Sequence, residues 1–245
     1  MTQAHTHTLK SYDKELDDLR TLVSQMGGFA EAQVRSAVDC LTTRDTAMAE
    51  RVVAADRKLD AMELELERQV HGIIARRSPV ADDLRGVIAA LKISGALERV
   101  GDYAKNIAKR ATVLNQSSPI RAVGILPQMA AETQRMIADV IDAYVEADAG
   151  RAIDVWQRDE RVDALYNSLF RELLTYMMEN TRLITPCTHL LFCAKNLERV
   201  GDHATNIAEM VYFSITGVVM EDVRPKGDDT SYTTLDPNDP ERYGA

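Results

Sequence analysis

One phrase occurs twice, with the same two carboxylates inside it. In "LERVGDYAKNIA" (97–108) Glu98 and Asp102 stand four residues apart; in "LERVGDHATNIA" (197–208) Glu198 and Asp202 repeat them. Two further pairs with that spacing, Asp56/Asp60 and Asp159/Asp163, precede these in "DRKLDAM" (56–62) and "DERVDAL" (159–165). On a helix, residues four apart share a face, and like charges there repel by a few tenths of a kcal/mol. Two such faces on neighbouring helices would bring four carboxylates to one patch, which suits hard or borderline cations: Mg²⁺, Mn²⁺, Fe or Zn²⁺. The spacing alone is weak evidence in a chain rich in acids. Asp13/Asp17, Glu63/Glu67 and Asp142/Glu146 share it and read as solvated faces. Placement separates the other four pairs, because they fall at equivalent points of two copies. Arg57, Lys58, Arg99, Arg161 and Arg199 are nearby cations that could neutralise the acids without any metal.

Each copy of the phrase has a glycine beside its acids, Gly101 and Gly201. Inside a helix a glycine costs about 1 kcal/mol relative to alanine. Either it lets two helices approach closely, or it leaves room beside Glu98 and Asp102 for something bound. The histidines add little. His203 faces the acid stripe only approximately and has Tyr103 as its counterpart; His71 and His189 stand alone, and His5 and His7 lie near the start. The sequence contains no HExxH, no phosphate-binding GxxxxGK[ST] loop, no GxGxxG and no ExxH pair of the di-iron helical enzymes.

The elements that must position the acids are helices. Apolar residues step by three and four, as in Leu16, Leu19, Val23, Met26, Ala30, Val34 and again in Val52, Ala55, Leu59, Met62, Leu66, Val70, Ile73. Ser78-Pro79, Ser118-Pro119 and Thr185-Pro186 read as N-caps followed by first-turn prolines, Asp45 and Asp148 as further caps, and Pro127 as a helix opening. The spacing predicts six helices near 9–42, 45–77, 80–115, 126–147, 150–180 and 186–217. Gly27-Gly28 is a weak point in the first, suggesting a kink. Between 96–110 and 196–210 ten of fifteen residues are identical. The chain therefore reads as all-α, two tandem three-helix bundles made by internal duplication: 9–117 and 118–217, with a loose segment at 1–8 and a polar, proline-bearing, disordered tail at 218–245.

Composition excludes several classes. A net charge of −9 argues against a nucleic-acid or anionic-membrane surface. The three cysteines, Cys40, Cys187 and Cys193, form no CxxC and read as reduced thiols of a cytosolic protein. No apolar run approaches the roughly 20 residues of a membrane helix.

The doubled "LERVGD…NIA", the Asp-x-x-x-Asp on the preceding helix and the six-helix layout resemble the PhoU family of phosphate-signalling proteins, over about residues 9–217. The resemblance implies a cytoplasmic, non-enzymatic homodimer that meets the membrane only through its partners. Those partners would be the ATPase subunit of the phosphate ABC transporter and a sensor histidine kinase. The implied role is to hold off the phosphate-starvation response when phosphate is plentiful and to restrain uptake. It also implies metal clusters held by Asp56, Asp60, Glu98 and Asp102 in the first unit and by Asp159, Asp163, Glu198 and Asp202 in the second. A metal-dependent helical enzyme acting on phosphate esters and a purely structural scaffold are the rival readings; no catalytic constellation supports the first.

Overall fold

Leu19, Val23, Met26, Ala30, Val34, Ala37 and Leu41 are all buried along one side of the first helix, the three-and-four rhythm expected of a packed seam. That helix, α1 (Lys10–Thr42), is followed by α2 (Thr46–Arg77), α3 (Ala81–Leu114), α4 (Leu126–Glu146), α5 (Ala149–Trp156), α6 (Asp159–Glu179) and α7 (Ile184–Thr216). The computed structural model describes residues 10–119 and 124–220, and among them there is no strand. The expected loose start (1–8) and nearly all of the expected tail lie outside the described residues, as do His5 and His7.

Helices α1, α2 and α3 pack on one another, as do α4, α5, α6 and α7. The two units meet chiefly through α3 against α7 and α1 against α4. Contacts on α3 and α7 run in opposite directions: Tyr103 meets His203, and Arg110 meets His189 and Phe192, so the two third helices are antiparallel. Leu59, Leu66, Leu97, Ile107, Leu126 and Met136 are fully buried in the core between the helices. Each such side chain contributes about 1.5–3 kcal/mol by leaving water. No helix among the described residues is long and apolar enough to cross a membrane.

The helix starts separate true caps from false ones. Asp45 accepts a hydrogen bond from Met48 N–H at 2.8 Å, and Asp148 one from Arg151 N–H at 3.0 Å, so both cap as expected. Ser78 does not: it ends α2 in the left-handed region (φ 47°), with its N–H on the Ile74 carbonyl, and α3 begins after Val80 without a side-chain cap. Thr185 lies inside α7, and the turn before that helix is capped by Asn180, whose Oδ1 accepts from Arg182 N–H. Pro127 falls in the first turn of α4, where its missing N–H costs nothing.

The expected six-helix layout changes at one point. The fifth helix is interrupted at Gln157–Arg158, giving α5 and α6. There Arg158 N–H bonds the Val155 carbonyl at 3.0 Å, three residues back, which tightens the turn. Around the break Trp156 Nε1 donates to Glu209 at 3.0 Å, while Arg151 and Arg158 both reach Asp139 on α4. Tertiary bonds of this kind leave no trace in helix periodicity. Helix α1, by contrast, runs unbroken through Gly27-Gly28. A Cβ on Gly27 would lie 2.6 Å from Ile141 Cγ1, so this glycine permits close approach of α4, whereas Gly28 faces open space.

Candidate metal centre

Asp56 occupies a seam position of α2, in the buried series Val52, Asp56, Leu59, Leu66, Val70 and Ile73. Its side chain therefore points at α3 rather than at solvent. Lys105 meets it there. The ammonium lies 2.5 Å from Asp56 Oδ2 and 2.6 Å from Asp102 Oδ1, joining α2 to α3. Burial works against the charge on Lys105, and the bonds to Asp102 and Asp56 more than offset it, holding the ammonium charged well above the ordinary lysine range.

Glu98 lies one turn earlier on α3. Burial first, then the neighbouring charges of Asp102 and Glu63, push its carboxyl up to about 7, against a smaller opposing pull from Arg99. Arg99 stands 3.7 Å from Glu98 and 3.6 Å from Asp102 and is largely exposed. Asp60 is exposed at the edge of the patch, and Asn106, one turn beyond Asp102, faces solvent. Glu63, read from sequence as part of a solvated face, is half-buried instead. Its carboxyl is raised by burial and then by Glu67 and Asp60. The signal for it was present: Glu63 follows Asp56 by seven residues, so it shares the α2 seam.

The second unit is drier. Asp159, Asp163 and Glu198 are 2%, 3% and 6% exposed, and Asp202 is half-buried. Burial raises the Glu198 carboxyl, and a 2.9 Å hydrogen bond from Lys195 opposes the shift. The other oxygen, Glu198 Oε2, is buried with no hydrogen-bond partner. Lys195 also stands over the Tyr166 ring, 5.0 Å from its centre.

The two lysines are the neutralising groups that sequence reading missed. Of the candidates it proposed, Lys58 lies over the Phe29 ring and Arg199 over that of Tyr103. Arg161 reaches Glu132 at 3.9 Å, and Arg99 meets Glu98 and Asp102 as expected. The glycines split between their two readings. A Cβ on Gly101 would lie 2.5 Å from Leu59 Cδ2, a packing constraint. At Gly201 the nearest atom is Asp159 Oδ1 at 3.4 Å, which leaves room beside a carboxylate.

The structure thus brings Asp56, Glu98 and Asp102 to one helix pair, and Asp159, Asp163, Glu198 and Asp202 to the other. Among the described residues no three acid, histidine or cysteine side chains converge closely enough to chelate one ion. One ammonium already bridges Asp56 and Asp102, and a buried carboxylate oxygen of Glu198 lacks a partner. The cysteines are poor alternatives. All three are free and buried, and burial pushes Cys40 up to about 11 and Cys193 to about 12.

The family model described as "PhoU domain" matches twice, over residues 23–111 and 126–211. The chain is 52% identical over 223 residues to the "Phosphate-specific transport system accessory protein PhoU homolog" of Caulobacter vibrioides, covering 91% of this chain and 97% of that one. Among solved structures, PhoU from Pseudomonas aeruginosa superimposes with a TM-score of 0.81 at 37% identity, covering 84% of this chain and all of that chain. The phosphate transport system regulatory protein PhoU from Streptococcus pneumoniae gives a TM-score of 0.74 at 28% identity, covering 86% of this chain and 99% of that one.

Proposed function

The chain belongs to the PhoU family, and we propose that it is a non-enzymatic regulator of phosphate transport that holds off the phosphate-starvation response when phosphate is plentiful. The observation that carries this reading is the extent of the match. Identity of 52% runs over nearly the whole of a relative named as an accessory protein of a phosphate-specific transport system. The regulator works as a cytoplasmic homodimer that reaches the membrane only through its partners. One partner is the ATPase subunit of the phosphate ABC transporter; the other is the sensor histidine kinase of the phosphate two-component system.

An adaptor shifts a signalling equilibrium only if its affinity differs between the two states of its partner. The long helices supply rigid faces for that discrimination. Asp56, Asp60, Glu98 and Asp102, and separately Asp159, Asp163, Glu198 and Asp202, would hold divalent or trivalent metal (Fe, Zn, Mn or Mg). Bound metal supplies positive charge to acids that otherwise repel one another. Within the protein's own residues, Lys105 and Lys195 already perform part of that neutralisation and fix α3 against α2 and α7 against α6.

The test is alkaline phosphatase activity in phosphate-replete cells lacking this gene, with and without the intact gene restored. The expected result is high activity in the deletion strain and low activity on restoration. Low activity in both strains overturns the regulatory reading.

A further inference from the structure

In the second unit the indole of Trp156 lies against α7, where its Nε1 donates to Glu209 at 3.0 Å. Trp156 is buried, and Tyr212, one turn beyond Glu209, packs on the core. Aligning the copies on Asp56 with Asp159 and on Asp102 with Asp202 gives each residue a counterpart in the first unit. Val53 stands for Trp156, Lys109 for Glu209 and Thr112 for Tyr212. These three line one open groove between α2 and α3, of about 560 Å³, together with Glu50, Ala54 and Arg57. Positions 53 and 109 thus face each other as positions 156 and 209 do. The first unit lacks the aromatic side chains that fill this place in the second.

The charges of the groove are exchanged as well. Glu160 and Glu209 of the second unit correspond to Arg57 and Lys109 of the first. Both cations are exposed, and neither pairs with a carboxylate among the described residues. Glu50 is the one acid in the lining, and Val53 and Ala54 are its apolar part. Such a groove suits an acidic segment that carries an apolar or aromatic side chain.

The chain supplies such a segment outside its described residues. From Asp228 to Glu241 it has five acids (Asp228, Asp229, Asp236, Asp239 and Glu241) and no base, with Tyr232 and Leu235 among them. The segment can reach the groove. Helix α7 ends at Gly217, beside Arg85 near the start of α3, and Lys109 lies about 36 Å further along α3 at 1.5 Å per residue. An extended chain leaving Met220 covers about 26 Å by Asp228 and about 70 Å by Glu241, which brackets that distance. Arginines nearer the exit are already engaged: Arg76 and Arg77 share Glu15, and Arg85 holds Asp82.

We propose that residues 228–241 dock in the groove between α2 and α3 of their own chain, with carboxylates on Arg57 and Lys109 and an apolar side chain over Val53. The first unit is then completed by the chain's own C-terminal segment, where the second is completed by Trp156. Tethering supplies a high effective concentration, so a few exposed ion pairs and one apolar anchor suffice to hold the segment. Any other protein that uses this face of α2 and α3 must displace it.

The test is zero-length carbodiimide cross-linking of the full chain, mapped by mass spectrometry. Mixing isotope-labelled with unlabelled protein separates links within a chain from links between copies. Lys109 is expected to join an acid of 228–241 within one chain, at a yield about fivefold or more above that of the exposed Lys14 and Lys92, and high salt should abolish the excess. Arg57→Glu, an exposed substitution, should cut the Lys109 yield at least threefold. Val53→Trp, which gives the first unit the residue of the second, should do the same. Circular dichroism identifies a variant that fails to fold, and acetylation of Lys109 by an uncharged reagent shows that its amine stays equally accessible. Links spread alike over Lys14, Lys92 and Lys109, links at Lys109 only between copies, or an unchanged Lys109 yield in folded Arg57→Glu would each overturn the proposal.

Discussion

Tyr103 and His203 hold the same position in the two copies of the repeat, and they touch. The phenol oxygen and imidazole Nε2 are 3.3 Å apart, and the ring centres 5.5 Å, tilted by 44°. Equivalent residues of a duplicated chain meet only where a near-two-fold axis passes between the copies, so this pair marks the axis relating α3 to α7. The guanidinium of Arg199 stands over the Tyr103 ring at 5.9 Å, and one turn or more away Arg110 covers Phe192 at 4.1 Å. The seam between the units is therefore built from aromatic and cationic contacts above an apolar floor of Val100, Ala104, Val200 and Ala204.

That contact predicts a measurable coupling. Tyr103→Phe keeps the ring and removes the phenol hydrogen bond, a net loss of about 0.5–1.5 kcal/mol. In a double-mutant cycle with His203→Ala, the coupling should be about 0.5–1 kcal/mol by urea denaturation. Additive losses would mean that the two residues contribute independently and the seam is held elsewhere.

Adjacent glycines on α1 should respond to alanine with opposite signs. Gly28→Ala meets nothing within 4 Å and removes a flexible residue from a helix, so it should stabilise by about 0.5–1 kcal/mol. Gly27→Ala gains the same propensity but drives a methyl to 2.6 Å from the buried Ile141, an overpacking cost of about 1–3 kcal/mol. Thermal unfolding of the two single variants, and of Gly27→Ala with Ile141→Ala, checks this. If the second substitution does not relieve the first, the clash is not the cause.

Much of this architecture was legible because duplication writes the same pattern twice. The shared phrase located the third helix of each unit, and the rhythm of Val52, Leu59, Leu66, Val70 and Ile73 located α2. Asp45 and Asp148 were readable as caps because an acceptor side chain before an apolar rhythm has one local role. Ser78 was misread because a residue between two helices can end one or start the next, and its left-handed φ decides which. The break at Gln157 depends on Asp139, some twenty residues away, and so has no local signature. Around the acids, spacing showed which carboxylates share a helix face, whereas Lys105 and Lys195 were hidden. They sit at positions where the copies differ, and comparison of copies draws attention only to what they share.

The raised carboxyl of Glu98 predicts a pH slope in the metal-free protein. Its folded value, about 7, lies above its ordinary value of 4.5. Between those values the folded state holds a proton that the unfolded chain has released. Stability therefore falls as pH rises across that window and is lowest above it. Glu98 is 21% exposed, so solvent screening keeps the effect to about 1–2 kcal/mol. Glu98→Gln should remove this part of the slope and be the more stable protein at pH 8. Parallel pH profiles for the two proteins in urea denaturation would show that Glu98 titrates normally.

The two helix-interior glycines of the repeat should separate packing from binding. Gly101→Ala places a methyl 2.5 Å from Leu59, which is itself buried in the α2–α3 contact, so the leucine must move into filled space. The expected loss is about 1–3 kcal/mol, larger than the helix propensity gained. Gly201→Ala meets Asp159 Oδ1 at 3.4 Å and Val162 at 3.6 Å, ordinary contacts, so its stability should match or exceed wild type by up to about 1 kcal/mol. The added methyl, however, occupies the space beside Asp159. Mn²⁺ retention should therefore drop in Gly201→Ala while the fold holds. Gly101→Ala should lose stability while keeping the ion of the second unit. Chemical denaturation paired with elemental analysis reads both quantities on the same samples. Equal destabilisation by the two substitutions would show that both glycines serve helix packing alone. In that case the room beside Asp159 has no part in holding a cation.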